Sequence, residues 1–403
     1  MKFSTILICF SLVLLNSIVF AQSEHKECGF NKIYQGLQND SNFLAVQAKM
    51  KQDIKQTHFL KSDTVIVIPV VVHVIYKNET ENISDAQIFS QIEALNKDMR
   101  MLNADTTIVK SYFSRTDTKI EFCLARVAPD SSWTNGITRT FTTFDDVGLS
   151  NRYYQIKPSW GNDDYLNIWV CDFGGNVAGQ AYPPGSPADR DGLVIDYTNF
   201  GTIGTVISPY NLGRTVTHEI GHWLNLVHIW GTNDVNPNCS NDDGVADTPN
   251  QSTIYTKCER SVSSCSSEDM TTNYMGYVFD RCMANFTDGQ KTRMRTSLLT
   301  SRAAILQSDK GCNAVGIKKE QIKETYSLYP NPSNGKFFLQ LISKPSNYHF
   351  ELVDLTGKAV PFLAISLGDQ FQFELNNTNS GIYFLKIKTE KTQQVKKLIL
   401  NNR

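Results

Sequence analysis

Three histidines and a glutamate within eleven residues carry the strongest chemical signal in the sequence. His218 and His222 are four residues apart, a spacing that puts both imidazoles on one face of a helix. Two such imidazoles suit a tetrahedral Zn²⁺ ion. Glu219 follows His218 directly and can take a proton from a water that the metal activates. The segment therefore predicts a catalytic zinc site.

His228 is the candidate third ligand, ten residues after His218. On a continuous helix its side chain would face away from the other two histidines, so the helix must end before it. Asn225 stands where this break is needed, and asparagine is the residue after glycine that best tolerates a left-handed backbone. The sequence thus predicts three zinc ligands and a left-handed turn at Asn225.

The elements that must position these residues are readable from hydrophobic patterns. A β-branched run from Val65 to Tyr76 is typical of a buried strand. Ser84 is a plausible N-cap for a helix that carries apolar residues at helical spacing. That spacing is seen in Ile88, Ile92, Leu95 and Met99. Further strands are predicted at 120–127, 165–171 and 193–196, and a helix at 215–225.

The residues HExxHxxNxxH resemble the long zinc motif of the metzincin metallopeptidases, HExxHxxGxxH, with Asn225 in place of glycine. The later residues Asn-Tyr-Met-Gly-Tyr at 273–277 resemble the metzincin Met-turn. This resemblance implies that Met275 underlies the three histidines. It also implies that Tyr277 stabilises the oxyanion of the tetrahedral intermediate.

Residues 64–312 resemble, more narrowly, the bacterial branch of the pappalysin family of metzincins. The resemblance implies an α+β fold with a two-lobed catalytic domain. The upper lobe would hold a twisted sheet, a backing helix and the active-site helix, above an irregular lower lobe. The family's disulfides would correspond here to Cys239–Cys265 and Cys258–Cys282.

Two acidic features follow from the same resemblance. Asp280 matches a family residue at the base of the pocket for the residue after the scissile bond, where a carboxylate would favour Arg or Lys. An oxygen-rich loop suits Ca²⁺, which family members bind in this region, but it is equally compatible with an acidic surface loop. Its candidate ligands are Asp242, Asp243, Asp247 and Thr248.

Cys28 lies in Lys-Glu-Cys-Gly, which resembles the Arg-x-Cys-Gly latency switch of bacterial pappalysin propeptides. A thiolate there would occupy the fourth zinc position. Lys26 and Phe30 depart from the family pattern, and an ordinary disulfide cysteine is the alternative. With Cys28 as the switch, Cys123 and Cys171 on predicted strands could pair, which leaves Cys312 without a partner.

The N-terminus reads as a secretory signal over residues 1–21, with a basic start, an apolar run at 6–15 and small residues before the cut. Export makes disulfide pairing of the cysteines expected. The chain is then divided into a propeptide at 22–60, the catalytic domain at 61–312 and a linker at 313–325.

Residues 326–403 show short alternating segments at regular spacing, which predicts a small β-sandwich. The order YPNP, DLTGK and GIYFLK resembles the type A sorting domain of the Bacteroidetes type IX secretion system. The resemblance implies an immunoglobulin-like sandwich that the outer-membrane translocon recognises. An accessory binding module of the same fold is the alternative.

Composition narrows the remaining classes of function. Lys and Arg number 39 against 40 Asp and Glu, a net charge of −1 that gives no reason to expect a nucleic-acid partner. Together the patterns predict a secreted, monomeric zinc endopeptidase, made as a latent precursor, that binds extended substrates along an edge strand at 193–196. The alternatives are a surface adhesin with a structural zinc and a zinc hydrolase acting on a non-peptide amide.

Overall fold

A computed structural model of the chain describes most of its 403 residues. The described ranges are 26–56, 64–311, 326–341, 348–354, 358–368, 370–375, 378–388 and 393–401. The chain divides into two compact units, residues 1–316 and 317–403. The expected signal peptide at 1–21 and the linker at 313–325 lie outside the described residues.

The first unit combines helices with one mixed sheet. Its strands are β1 Glu27–Cys28, β2 Ile66–Tyr76, β3 Ile120–Leu124, β4 Ile137–Phe141, β5 Leu166–Cys171, β6 Val177–Ala181 and β7 Leu193–Asp196. Its helices are α1 Phe30–Gly36, α2 Ser41–Gln56, α3 Asp85–Met99, α4 Tyr153–Ile156, α5 Arg214–Trp223 and α6 Asp288–Leu299. The predicted strands and both predicted helices of this unit are present, with ends shifted by up to three residues.

The sheet has the strand order β1-β6-β7-β5-β2-β3, and β4 pairs with the second half of β2. All pairings are parallel except the antiparallel contact of β6 with β7. β2 is buried over most of its length because it lies inside this sheet, which explains its continuous apolar sequence. His73 on β2 is buried between Thr138 and Asn167, both within hydrogen-bond distance, as a structural residue.

Helix α3 backs the sheet and packs against α5 and β3. The Ser84 side chain accepts a hydrogen bond from the backbone N–H of Gln87, which confirms the predicted N-cap. The apolar face of α3 joins a core cluster that also contains Val216 and Ile220 of α5. The active-site helix is therefore held from behind by a second helix.

Residues 224–287 form the irregular part of this unit. They contain only a short 3-10 turn at Asp280–Cys282 and are crosslinked by two disulfides. The pairs are Cys239–Cys265 and Cys258–Cys282, as the family resemblance implied. Disulfides compensate here for the absence of regular secondary structure.

The suggested pairing of Cys123 with Cys171 is wrong. Cys171 is a buried free thiol on β5, whereas Cys123 is disulfide-bonded. The two cysteines lie on strands that β2 separates, so their pairing is not compatible with the strand order. Cys312 lies outside the described residues.

The N-terminal segment folds onto this unit. α2 packs against α6, and the Gln47 amide donates to the carbonyl of Pro184 at 2.9 Å. The first helical N–H groups of α2 are capped by Asp40, whose Oδ1 accepts from Asn42 and Phe43 at 2.9 and 3.0 Å. No helix was predicted for these residues from the sequence.

The second unit is made of two antiparallel sheets with the orders β10-β13-β14 and β11-β12-β9-β8. Its strands are β8 Tyr326–Tyr329, β9 Lys336–Leu341, β10 His349–Asp354, β11 Leu363–Ser366, β12 Gln370–Glu374, β13 Gly381–Lys388 and β14 Gln393–Leu400. A single apolar cluster draws residues from both sheets. This arrangement confirms a β-rich unit, and its immunoglobulin-like character stays a prediction.

Across the parts of the chain that the structure describes, none of the helices has the length and apolar character needed to span a bilayer.

Candidate active site

Helix α5 places the histidine pair and the glutamate at the centre of the first unit. His218, Glu219 and His222 are at most 4% exposed. Nε2 of His222 lies 3.0 Å from Nε2 of His218 and 3.1 Å from Nε2 of His228. All three predicted ligands therefore point their Nε2 atoms at one spot.

The other ring nitrogens fix the tautomers. Nδ1 of His218 lies 2.7 Å from the carbonyl oxygen of Tyr274, and Nδ1 of His222 lies 2.9 Å from that of Leu226. Since each Nδ1 must donate to its carbonyl, the converging Nε2 atoms carry lone pairs. Burial lowers the pKa of His218 to about 3 and that of His222 well below its usual value, so both rings are neutral.

This donor set fits a metal ion. The unprotonated Nε2 atoms of His218 and His222 cannot hydrogen-bond to each other across 3.0 Å, whereas ligands of tetrahedral zinc are separated by roughly 3.3 Å. The Sγ of Cys28 completes a group of four ligand atoms that all lie within 4.8 Å of one another. Among the described residues, this is the one cluster of three or more such side chains that could hold a metal.

Asn225 makes the turn that brings His228 back. Helix α5 ends at Trp223, and Asn225 has a φ of 76°, the left-handed conformation that the sequence predicted. Its backbone N–H donates to the carbonyl of His222 at 2.9 Å, which closes the end of the helix. The departure from the family's glycine is thus compatible with the required backbone.

We expect Asn225→Gly to keep full zinc content, because glycine adopts this backbone freely. Asn225→Val should destabilise the fold by about 1–3 kcal/mol and lower zinc occupancy, because a β-branched residue is strained at positive φ. Denaturant unfolding and metal analysis of the purified variants measure both effects. Equal zinc content and stability in the valine variant would contradict the role of this turn.

Met275 lies against Gly221 of the active-site helix. The side chain is fully buried, and its Sδ would stand 2.3 Å from a Cβ placed on Gly221. A larger residue at position 221 would therefore require the Met275 side chain to shift. The backbone N–H of Met275 donates to Asn273 at 2.9 Å, which holds the turn.

Asp234 is a site residue that the sequence interpretation missed. Its Oδ1 lies 3.3 Å from Nδ1 of His228 and accepts from the Trp230 indole at 2.7 Å. Burial raises the pKa of Asp234, but its contacts, with His228 first, outweigh burial and lower it to about 2. A carboxylate on the second nitrogen of a ligand orients the imidazole. The only signal in the sequence was an acidic residue six positions after the third histidine.

Tyr277 lies beside the same carboxylate. Its hydroxyl donates to Oδ2 of Asp234 at 3.2 Å, and its ring centroid is 4.7 Å from that of His228. The phenol is thus next to the histidine cluster, where a developing charge on a substrate would be within reach.

Glu219 is buried beside Cys28, and both residues line the same cavity. Its Oε2 has no hydrogen-bond partner among the described residues. Burial raises the pKa of Glu219 to about 8, and the neighbouring Cys28 thiol opposes this rise. The carboxyl group is therefore positioned as a proton acceptor in a dry site.

The N-terminal segment covers the cluster. β1 adds to β6 as a parallel strand, with Gly29 N donating to the carbonyl of Gly179 at 2.8 Å. The Phe30 ring is fully buried and stacks on the His222 imidazole, with centroids 3.7 Å apart and planes 3° from parallel. The segment thus places a thiol and an aromatic ring directly on the candidate metal ligands.

Asp280 lies at the wall of a cavity next to Glu219 and His218. It is 1% exposed, and its Oδ2 accepts from the backbone N–H groups of Leu212 and Arg214. Its Oδ1 has no partner among the described residues. Burial raises the pKa of Asp280 to about 6, although the two backbone bonds lower it.

The candidate calcium ligands form hydrogen bonds with one another and with neighbouring residues. Thr248 donates to both carboxylate oxygens of Asp243, and Asp247 accepts from Thr287 and from the N-terminus of α6 at Gly289. Asp242 caps its own turn at Gly244. Burial raises the pKa of Asp243 to about 7. The geometry does not bring the four side chains to a common point.

The prediction that the strand at 193–196 is the edge strand that binds substrate is wrong. β7 lies between β5 and β6, so it is not an edge. The edge of the main sheet is β6, and β1 of the N-terminal segment now occupies it. The short sequence VAGQA contains glycine and no β-branched alternation after Val177, so its pattern did not indicate a strand.

Comparisons with known proteins agree with this geometry. A peptidase family model described as pregnancy-associated plasma protein-A matches residues 151–299, and a model of the secretion system C-terminal sorting domain matches residues 327–401. An extracellular metalloprotease of Arthroderma benhamiae is 31% identical over 244 residues, which cover 59% of this chain and 79% of the relative.

Solved structures are similar as well. A promirolysin mutant of Tannerella forsythia matches with a TM-score of 0.64 and 38% identity, over 70% of this chain and 97% of its own. Mature mirolysin in complex with a cleaved peptide matches with a TM-score of 0.56 and 42% identity, over 60% of this chain and 96% of its own.

Proposed function

The chain belongs to the pappalysin family of metzincin zinc metalloendopeptidases, and from this membership we propose that His218, His222 and His228 hold its catalytic zinc. The chain is secreted, as its sorting domain and its extracellular relatives indicate. The convergence of three histidine Nε2 atoms beside a buried glutamate carries the proposal of the site. The comparisons give no support to the adhesin alternative.

Bound zinc supplies a Lewis acid that polarises the scissile carbonyl and makes water more acidic. Glu219 takes the proton of the attacking water and returns it to the leaving amine. The Tyr277 hydroxyl turns from Asp234 to the carbonyl oxygen as negative charge develops there. Asp234 and the carbonyl of Tyr274 hold the rings of His228 and His218 in place.

The edge strand β6 binds the substrate in extended form once β1 has left it. Exposed backbone N–H and C=O groups of an edge strand pair readily with an added chain. The N-terminal segment already uses this mode, through the bonds of Glu27 with Asn176 and of Gly29 with Gly179. The protein is therefore an endopeptidase whose substrate backbone pairs with the edge strand β6.

Latency follows from the same contacts. Cys28 takes the position that the attacking water needs and lies beside the base Glu219. The promirolysin relative shows that a precursor form exists in this family. Residues 22–60 act as the propeptide and 61–312 as the catalytic domain.

Asp280 selects Arg or Lys after the scissile bond. The Asp280 carboxylate is buried, and its Oδ1 has no hydrogen-bond partner among the described residues. A cationic side chain of the substrate would supply both a counter-charge and a hydrogen-bond donor. Cleavage of an unbiased peptide library, mapped by mass spectrometry on the activated enzyme with zinc, tests this proposal. Cuts before Arg or Lys are expected, and cuts without this preference would contradict the pocket but leave the protease.

The preference for a cationic residue after the scissile bond should depend on pH, because it requires the ionised form of Asp280, whose pKa is about 6. Above pH 6 the carboxylate is ionised, so we expect kcat/KM for an arginine peptide to exceed that for its citrulline analogue by roughly 10- to 100-fold at pH 7.5. The ratio should fall towards one at pH 5, where the carboxyl is neutral. Using the ratio cancels the pH dependence of the other catalytic groups.

Asp280→Asn should show a ratio near one at both pH values. Asp309→Asn, at a carboxylate whose side chain is 84% exposed, is the matched control and should behave like the natural enzyme. A ratio that rises on acidification would contradict the assignment of this carboxylate.

Calcium binds the loop of Asp242, Asp243, Asp247 and Thr248 if small shifts free the carboxylates from their present partners. We expect millimolar Ca²⁺ to raise the melting temperature of the zinc-loaded protein by several degrees, because a ligand that binds only the folded state stabilises it. Asp243→Asn should remove this effect. An equal rise in the variant would place the calcium elsewhere.

Residues 326–403 serve as the sorting domain that the outer-membrane translocon of the type IX system recognises, joined by the linker at 313–325. The match of the sorting-domain model over 327–401 supports this role. The catalytic unit acts as a monomer.

A further inference from the structure

The side-chain ammonium of Lys26 sits in a cluster of oxygens on the catalytic unit. Its Nζ donates to Asn199 Oδ1 at 2.7 Å, to Thr198 Oγ1 at 3.0 Å and to Asp196 Oδ1 at 3.3 Å. Asp196 ends β7, and Thr198 and Asn199 belong to the 3-10 turn Tyr197–Asn199 that follows it. The three residues are called the ammonium cradle below.

The cradle is built by the body of the catalytic unit and not by the propeptide. Asp196 accepts from the backbone N–H groups of Phe173 and Thr198, at 3.1 and 3.0 Å. The buried amide of Gln87 donates to the carbonyls of Tyr197 and Phe200 and holds the turn on helix α3. The three oxygens are thus preorganised and remain in place when the propeptide leaves.

Lys26 supplies the positive charge beside the Asp196 carboxylate. Asp196 and Asn199 are 6% and 1% exposed, and without Lys26 their oxygens keep hydrogen bonds from backbone N–H groups and the Thr198 hydroxyl but face no cation among the described residues. A nearly buried carboxylate without a counter-charge is costly, so the empty cradle favours another cation. Three acceptors around one point match the three donors of an ammonium better than the planar fork of a guanidinium.

We propose that in the activated enzyme the ammonium cradle is a second specificity subsite, which binds a lysine side chain of the substrate. The proposal rests on the proposed endopeptidase function. The subsite is separate from the Asp280 pocket. The Oδ2 of Asp280 accepts hydrogen bonds from the backbone N–H groups of Leu212 and Arg214, whereas the cradle lies at the end of β7. Cys28 lies at the candidate metal site, where the scissile bond of a substrate would lie, and Lys26 is two residues away from it. The cradle therefore binds a side chain about two residues from the scissile bond.

Peptides with one cleavage site test the proposal. Arginine is kept at the Asp280 position, directly after the scissile bond. Lysine is moved through the other positions up to three residues from that bond, with norleucine as the uncharged reference. We expect one position at which lysine raises kcat/KM roughly 10- to 100-fold over norleucine and exceeds arginine. The activated, zinc-loaded enzyme is used.

Variants assign that preference to the cradle. The lysine-to-norleucine ratio should fall to about one in Asp196→Asn and decrease in Thr198→Val. It should stay high in Asp189→Asn, whose carboxylate is 55% exposed and pairs with the neighbouring Arg190. No lysine preference at any position, or a preference that survives Asp196→Asn, would overturn the proposal. A preference lost only in Asp280→Asn would assign it to the other pocket.

Binding separates failure of the subsite from failure of the protease. A synthetic peptide of residues 26–36 is titrated by calorimetry into the Glu219→Ala protein freed of its propeptide. Replacing Lys26 of the peptide by norleucine should weaken binding at least tenfold. Equal affinity of the two peptides would reject the cradle even if no peptide is cleaved, whereas a tenfold loss would support it independently of turnover.

Discussion

Replacing Glu219 by alanine should lower kcat/KM of the activated enzyme by roughly 10²- to 10⁴-fold, the usual contribution of a general base. The carboxylate lies one helix position from His218 and is 1% exposed. Its Oε2 has no competing partner among the described residues, so the group is available to the attacking water. Initial rates on a fluorogenic peptide with arginine after the scissile bond measure the loss.

Zinc content must stay unchanged for this result to report on the base. We expect Glu219→Ala and Glu219→Gln to hold one zinc per chain, because neither removes a histidine. Glu79→Ala, at an exposed loop glutamate, is the control and should retain natural activity. An alanine variant that is fully loaded with zinc and keeps a tenth or more of the activity would exclude Glu219 as the base.

The parts of this site that the sequence predicts are those held by local geometry. The four-residue spacing of His218 and His222 specifies a shared helix face without any tertiary information. The turn at Asn225 is also local, since the ring of His228 can return only through a left-handed residue. The two disulfides and Met275 depend on distant chain segments, and only the resemblance to a family supplied them.

The parts that the sequence did not predict depend on contacts between distant elements. Asp234 orients His228 because a loop folds back over the site, and nothing in its neighbourhood distinguishes it from a surface acid. β6 is an edge strand by topology, which strand patterns do not encode.

Helix α2 is different, because its signal was present in the sequence. Asp40 precedes apolar residues at helical spacing, including Phe43 and Met50, and both are buried in the fold. The polar composition of this segment concealed the pattern.

Replacing Cys28 by alanine should make the uncut precursor active. The thiol shares the ligand cluster with the three histidines and lies beside Glu219, so its removal frees both the metal position and the base. We expect the initial rate of the precursor on a short peptide to rise at least tenfold before any chain cleavage. Cys171→Ala removes the second free thiol of the described residues and should leave the precursor as latent as the natural chain.

Latency should not rest on the thiol alone, because Phe30 covers the face of His222 and β1 fills the substrate edge. Loss of a buried phenylalanine costs about 3–5 kcal/mol. Phe30→Ala added to Cys28→Ala should therefore raise the precursor rate well beyond the single variant. Phe30→Ala alone should speed release of the cut propeptide. If Cys28→Ala stays silent until the chain is cut while the double variant is active, the aromatic cover and not the thiol is the barrier.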